Sequence, residues 1–149
     1  MEHRRIYRAK DKEPIIQALI SPGNPIFKEI WRILMFSASV GFSHSKLEPL
    51  GAFDSARGID FQTFGNSPAW PGYLYLISLV ERQNATALAG EENSTEQRIV
   101  TFEQYANGGL SIIRDRCESH SYSLDSIIGL ILDSNAKPEA SGNLTDVAI

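Results

Sequence analysis

Cys117 and His120 are separated by two residues, the spacing of half a zinc site in which a thiolate and an imidazole share one ion. A tetrahedral structural site needs four ligands, and the second half is missing. Cys117 is the only cysteine, and His3 and His44 are distant in the chain. The pair therefore reads as a small core thiol followed by an unrelated histidine. Nucleophilic catalysis would instead need Ser or Cys beside His, with an acid to orient the base. "GFSHS", residues 41–45, brings serines to His44 but lacks the Gly-x-Ser-x-Gly elbow. No Gly-x-x-x-x-Gly-Lys loop and no Gly-x-Gly-x-x-Gly fingerprint occurs, and the glycine pair in "NGG" is too short to cradle a phosphate. No catalytic residue, metal or cofactor is assigned, and a protein without enzymatic activity is expected.

One constellation is denser. His3, Arg4, Arg5, Arg8, Lys10 and Lys12 crowd the first twelve residues around Tyr7. Guanidinium, ammonium and aromatic groups at this spacing could follow a phosphate backbone. Arg4, Arg5, Arg8, Lys10 and Lys12 are the candidate nucleic-acid contacts. The alternative is a solvated segment paired with acidic neighbours. The whole chain carries a net charge of −4 and a pI near 5.3, which opposes a surface devoted to nucleic acid. Glu103, Arg114 and Asp115 read as surface ion pairs of little energetic weight.

Elements that must position these groups come from the apolar periodicity. His3 to Lys12 reads as extended. A short helix then begins near Asp11, with Pro14 in its first turn and Ile15, Ile16, Leu19 and Ile20 on one face. "SPGNP" breaks it. Asn24 and Pro25 suit a cap and first position for a second helix that is apolar on most sides, from Phe27 through Val40, with Gly41 as its terminator. Residues 42–68 read as a long irregular insertion with at most a short β-ribbon in "GIDFQTF", covered by Phe53, Ile59, Phe61 and Phe64. A third helix is expected from Ser67 to about Gln83, with Tyr73, Leu76, Ile77 and Val80 inward. The box "STEQ", Ser94 to Gln97, should open a fourth, whose stripe is Ile99, Phe102, Ala106, Gly109, Ile113 and Cys117. A last helix from Leu124 to Leu132, capped by Ser123, should turn Leu124, Ile127, Ile128 and Ile131 inward.

The reading is an all-α, mainly helical, single compact domain of about five helices over residues 1–133, with a basic arm at 1–10 and a flexible tail at 134–149. A chain of 149 residues, 42% apolar and 21% charged, is large enough for one core without a disulfide. The lone cysteine and the absence of an apolar run near the ~20 residues of a membrane span place it in the cytoplasm. Asn84, Asn93 and Asn143 begin Asn-x-Ser/Thr triplets, read as coincidental in a chain without a signal sequence.

Gly108 and Gly109 interrupt the most regular helical stretch, "EQYANGGLSIIRD". Gly109 lies on the apolar stripe, where a missing side chain would admit a close neighbour such as the helix of Ala38. Gly108 lies off that stripe and reads as a kink or a partner contact. Tyr105, Asn107, Gly108 and Gly109 together are the candidate partner-contact or helix-packing motif.

Three stretches in order, "YRAKDKEPIIQAL", "FKEIWRILMFSASVGF" with "KLEPLG", and "RIVTFEQYANGGLSII", give the chain a family resemblance. Over roughly residues 6–132 it resembles the small accessory proteins encoded beside bacterial DNA phosphorothioation (Dnd) clusters, the dnd system-associated protein 4 family. Those systems replace a non-bridging phosphate oxygen with sulfur and pair this mark with restriction of unmarked DNA. The resemblance implies membership in such a defence locus and other Dnd proteins as partners, and it carries over no catalytic residues. Three functions follow as expectations: an accessory subunit working through protein contacts, a DNA-contacting regulator or loading factor using the N-terminal arm, and, most remote, a small hydrolase or nuclease. Direct DNA contact and homo-oligomers are both compatible with the chain.

Overall fold

The computed structural model describes the backbone of residues 5–23, 25–64, 70 and 92–136, with their side chains except at 92–95 and 134–136. Five helices run through them: α1 (Glu13–Leu19), α2 (Ile30–Ser43), α3 (Phe61–Phe64), α4 (Glu92–Ser119) and α5 (Leu124–Ala136). Single 3₁₀ turns occupy Lys10–Lys12 and Ser55–Arg57. The mainly helical class expected from the sequence is the one observed. In place of a β-ribbon there are two isolated antiparallel bridges among the described residues, Ile6 to Ile59 and Ala9 to Phe53.

The centre of the fold is the packing of α2 on α4. At 28 residues α4 is about 42 Å long, and it runs unbroken through the glycine pair. Its expected stripe is the buried one: Ile99, Phe102, Ala106, Ile113 and Cys117 are all inside the core. The two helices touch backbone to backbone. A Cβ on Gly109 would fall inside the carbonyl oxygen of Ser37, and one on Gly41 inside the carbonyl oxygen of Tyr105. Gly108, read from the sequence as a kink or a partner contact, lies under the carbonyl of Lys46, on the segment that follows α2.

Several boundaries differ from the sequence reading. Asn24 lies outside the described residues, and α2 starts at Ile30, not after Pro25. The amides of Ile26 and Phe27 are bonded to the carbonyl of Leu19, 3.0 and 3.2 Å away, so this stretch closes α1 rather than opening α2. Gly41 is mid-helix. The stop comes at Ser45, whose φ of 54° is left-handed. There the Ser45 amide returns to Phe42 (3.1 Å) and the Lys46 amide to Gly41 (2.8 Å), the double closure of a Schellman turn with serine where glycine is usual. The fourth helix opens at Glu92, so Ser94 lies inside it and is not its cap. The third expected helix falls outside the described residues apart from Trp70.

Trp70 nevertheless anchors the aromatic core. Its ring stacks on Phe64 at 4.6 Å and meets Phe102 edge-on at 5.0 Å. Phe61 and Trp31 close the cluster at 5.7 Å from Trp70 and 6.2 Å from Phe64. The insertion is thus held by aromatic burial through Phe61 and Phe64, as its composition suggested, while Phe53 faces outward.

On α5, Ser123 is the cap, accepting the Ser126 amide at 3.2 Å. The helix continues past residue 133, where the domain was expected to end, to Ala136. Its inward face is Ile127 and Leu130. Leu124, Ile128 and Ile131, expected inside, are exposed together with Leu132. A short helix on the rim of a core needs only a narrow apolar stripe, and α5 presents that stripe one position away from the one read.

Candidate functional site

The three signature stretches meet along one side of α4. Glu103, Asn107 and Ser111 recur every four residues, so they share a face of the helix. All three are buried. The segment leaving α2 lies across this face: the Glu48 amide bonds to the Gln104 carbonyl at 3.0 Å, and Asn107 Nδ2 reaches the carbonyls of Glu48 (3.3 Å) and Pro49 (3.0 Å). Ser111 Oγ donates to Glu48 Oε1 at 2.6 Å. From the other side Lys12 Nζ donates to Glu48 Oε2 at 2.7 Å, with Asp11 at 3.6 Å as a second counter-charge. Lys12 has no exposed surface.

Burial alone would raise the Glu48 pKa, but hydrogen bonds from Lys12 and Ser111 and the charges of Lys12 and Lys46 outweigh it and hold the carboxyl below its ordinary value. The carboxylate is therefore a clamp, ionised and satisfied on both oxygens. It is a poor proton acceptor.

One turn earlier, Glu103 Oε2 accepts the Tyr7 amide at 2.8 Å. This fixes the N-terminal segment to α4, and the bridges at Ile6 and Ala9 fix it to the insertion. Glu103, read from the sequence as surface decoration, is only 6% exposed. Tyr7 stacks on Phe53 with ring centroids 4.7 Å apart. These two rings, Leu50, and the Glu96, Val100 and Glu103 edge of α4 line an open groove of about 380 Å³.

A second, more polar cleft of about 290 Å³ opens between Arg8, Lys10, Glu13, Asp54 and Arg57. Arg8 is buried. Its Nε donates to Glu13 Oε1 at 2.8 Å and its Nη1 to the Arg57 carbonyl at 2.9 Å. Arg57 Nη1 joins Glu13 Oε2 at 3.1 Å. Burial of Glu13 pushes its pKa up, but the Arg8 and Gln17 hydrogen bonds and the Arg8 and Arg57 charges leave it lowered overall. Arg8 and Arg57 face carboxylates of the cleft's own lining, Glu13 and Asp54.

Of the basic residues expected to reach a phosphate backbone, Arg4 lies outside the described residues. Arg5 is exposed and pairs with Asp60 at 3.1 Å, and Lys10 is exposed. Arg8 and Lys12 turn inward, because each has a carboxylate partner within the fold. Tyr105, Asn107, Gly108 and Gly109 are all buried in the packing of α4. Cys117 is buried, and burial raises its thiol pKa against the opposing charge of Arg116. His120 bonds instead to the Arg116 carbonyl at 3.2 Å. Among the described residues no three His, Cys, Asp or Glu side chains gather as a metal site would require. No helix among them is long and apolar enough to cross a membrane.

The residues missed from the sequence are Glu48 and Ser111, together with the burial of Glu103; Tyr7, read there as an aromatic group of a nucleic-acid-binding arm, is instead bonded to Glu103 and stacked on Phe53. A signal for part of this was present. Glu103, Asn107 and Ser111 form a polar stripe beside the apolar one, on a helix with little other polar surface in its middle. What that stripe meets lies 58 to 96 residues away in the chain.

No curated protein and no solved structure matches the chain. A family match does exist, and it extends over residues 5–148, taking in all the stretches that converge on α4. By that match the chain belongs to the family described as DNA sulphur modification system-associated protein 4.

Proposed function

We propose that this protein is a non-enzymatic accessory subunit of a DNA sulphur modification system and works through contacts with other proteins of that system. Its family supplies the association. The observation that carries the rest is the use made of the signature polar groups. Lys12 and Ser111 each donate to Glu48, and Glu103 accepts from the N-terminal backbone. Groups engaged in this way shape a surface; a catalytic acid, base or nucleophile must instead face its substrate. The Tyr7–Glu103 bond holds the N-terminal segment beside α4, and the outward groove lies between them.

The test is co-purification of the tagged protein with the products of neighbouring genes in the same cluster, alongside titration of duplex DNA at low salt. A stable complex with a modification or restriction component, without DNA affinity, is the expected result. The second reading, a DNA-contacting regulator, draws on the exposed Arg5, Lys10 and Arg57. Salt-dependent DNA binding lost on charge reversal of Lys10 and Arg57 would replace the first reading by the second. Metal-dependent DNA cleavage abolished by one carboxylate change would displace both.

A further inference from the structure

We infer that the outward face of α5 is a two-fold contact whose occupant is a second copy of this chain, its own α5 lying antiparallel on the first. Leu124, Ile128, Ile131 and Leu132 are 57%, 43%, 41% and 60% exposed. At helical spacing they share one arc of about 100°. No other helix among the described residues leaves more than one large apolar side chain open. A continuous apolar stripe marks a contact surface more than scattered side chains do. Beyond one edge of it the Arg116 guanidinium lies over Gly129 and pairs with Asp133, so that flank is already closed within the fold.

The pattern selects the occupant. α5 contains no Lys, Arg or His, the cations by which a helix lies on an anionic membrane or along a phosphate backbone. Within the arc there is no charge for a charged peptide to pair with. The stripe calls for another apolar stripe of equal length, and the described residues offer one, its own twin. Its spacing is self-matching: across a two-fold axis at the middle of α5, Leu124 of each copy meets Ile131 of the other and Ile128 meets itself. Asp125, exposed at the rim, sets the sense of the pairing. Antiparallel helices stagger the two Asp125 carboxylates by about 8 Å along the axis, about a Debye length at physiological salt, whereas parallel ones would set them side by side. The four exposures amount to about two whole residues in each copy. That is small for a specific interface, so the dimer is a weak one that dissociates on dilution.

The experiment is sedimentation velocity of the full-length protein from about 5 to about 500 µM. The apparent mass should rise from 16.5 kDa towards twice that value. Ile128→Asp and Ile128→Lys should each weaken association about tenfold or more, because like charges then meet on the axis. Mixed in equal amounts, the two variants should recover the dimer, a result that a merely damaged fold does not give. Val100→Asp, on the N-terminal half of α4, should associate as the wild type does. Circular dichroism of each variant checks that the fold persists. A wild type that stays monomeric throughout, a dimer indifferent to both changes at Ile128, or a mixture no more associated than its components would overturn the inference. In a monomeric protein, protection of Ile128→Cys from a thiol reagent would assign the face to another part of the same chain. Loss of a co-purifying system protein on Ile128→Asp would assign it to that partner. The association is read on the isolated protein, so its failure leaves the accessory role standing.

Discussion

Glu48→Gln should be far more damaging than Lys12→Met, although both break the same ion pair. The Lys12 side chain is only 1% exposed, whereas the Glu48 side chain is about a third open to solvent. Removing the carboxylate charge leaves an ammonium in the core with only Asp11 at 3.6 Å to answer it. A buried charge stripped of its partner costs about 3–5 kcal/mol. The amide oxygen of Gln and the nearby Asp11 place this case near the lower end, about 3 kcal/mol. Lys12→Met leaves instead a carboxylate that keeps Ser111 and reaches water, at a cost of about 1 kcal/mol. With both changes no charge is stranded, so the double variant should lose about 1–2 kcal/mol and the cycle should show about 2–3 kcal/mol of coupling. In urea, with a slope near 2 kcal/mol/M, Glu48→Gln should lower the midpoint by about 1.5 M.

The pH dependence adds a second readout. The folded Glu48 pKa is lowered from 4.5. Its contribution is therefore complete above the unfolded value and is lost as pH falls from there through the folded one. The wild type should lose stability more steeply than Glu48→Gln over that acid range. Two single variants of equally small effect, adding without coupling, would refute the burial of Lys12 and its pairing with Glu48.

Two further outcomes test the packing around α4. Alanine at Gly108 or Gly109 gains about 1 kcal/mol of helix propensity but drives a methyl into backbone, at about 1–3 kcal/mol or more. Both variants should melt lower, Gly109→Ala more so because α2 itself must move, and a higher Tm for Gly108→Ala would show that Lys46 does not lie on the helix. Cys117, buried and with a raised thiol pKa, should react with a thiol reagent about a hundredfold or more slowly in the native protein than in urea. Equal rates would place it at the surface.

Much of the helical plan was legible because period alone reports it. The stripe of Ile99, Phe102, Ala106, Ile113 and Cys117 needed nothing but spacing, and Ser123 needed only local capping chemistry. Failures arose where distant groups competed for a local signal. Asn24 and Pro25 look like a helix start, yet the amides just beyond them are taken by the Leu19 carbonyl. Gly41 looks like a stop, but it is glycine because Tyr105 lies against it. The basic N-terminal run has the composition of a free arm; only the placement of Glu13 and Glu48 shows that Arg8 and Lys12 turn inward. Gly108 could not be read from its helix, since what it accommodates is the Lys46 carbonyl.

The bond from the Tyr7 amide to Glu103 spans 96 residues, and it sets an order of events during synthesis. At about 5–20 residues per second, roughly 5–20 s separate the appearance of Tyr7 from that of its partner. Through that interval the Tyr7 amide lacks its acceptor, although Phe53 and Ile59, which hold the same segment by a ring stack and a bridge, are already made. The first part of the chain can therefore pair with the insertion early but dock on α4 only late, and the groove between them is complete only once translation has passed Gln104.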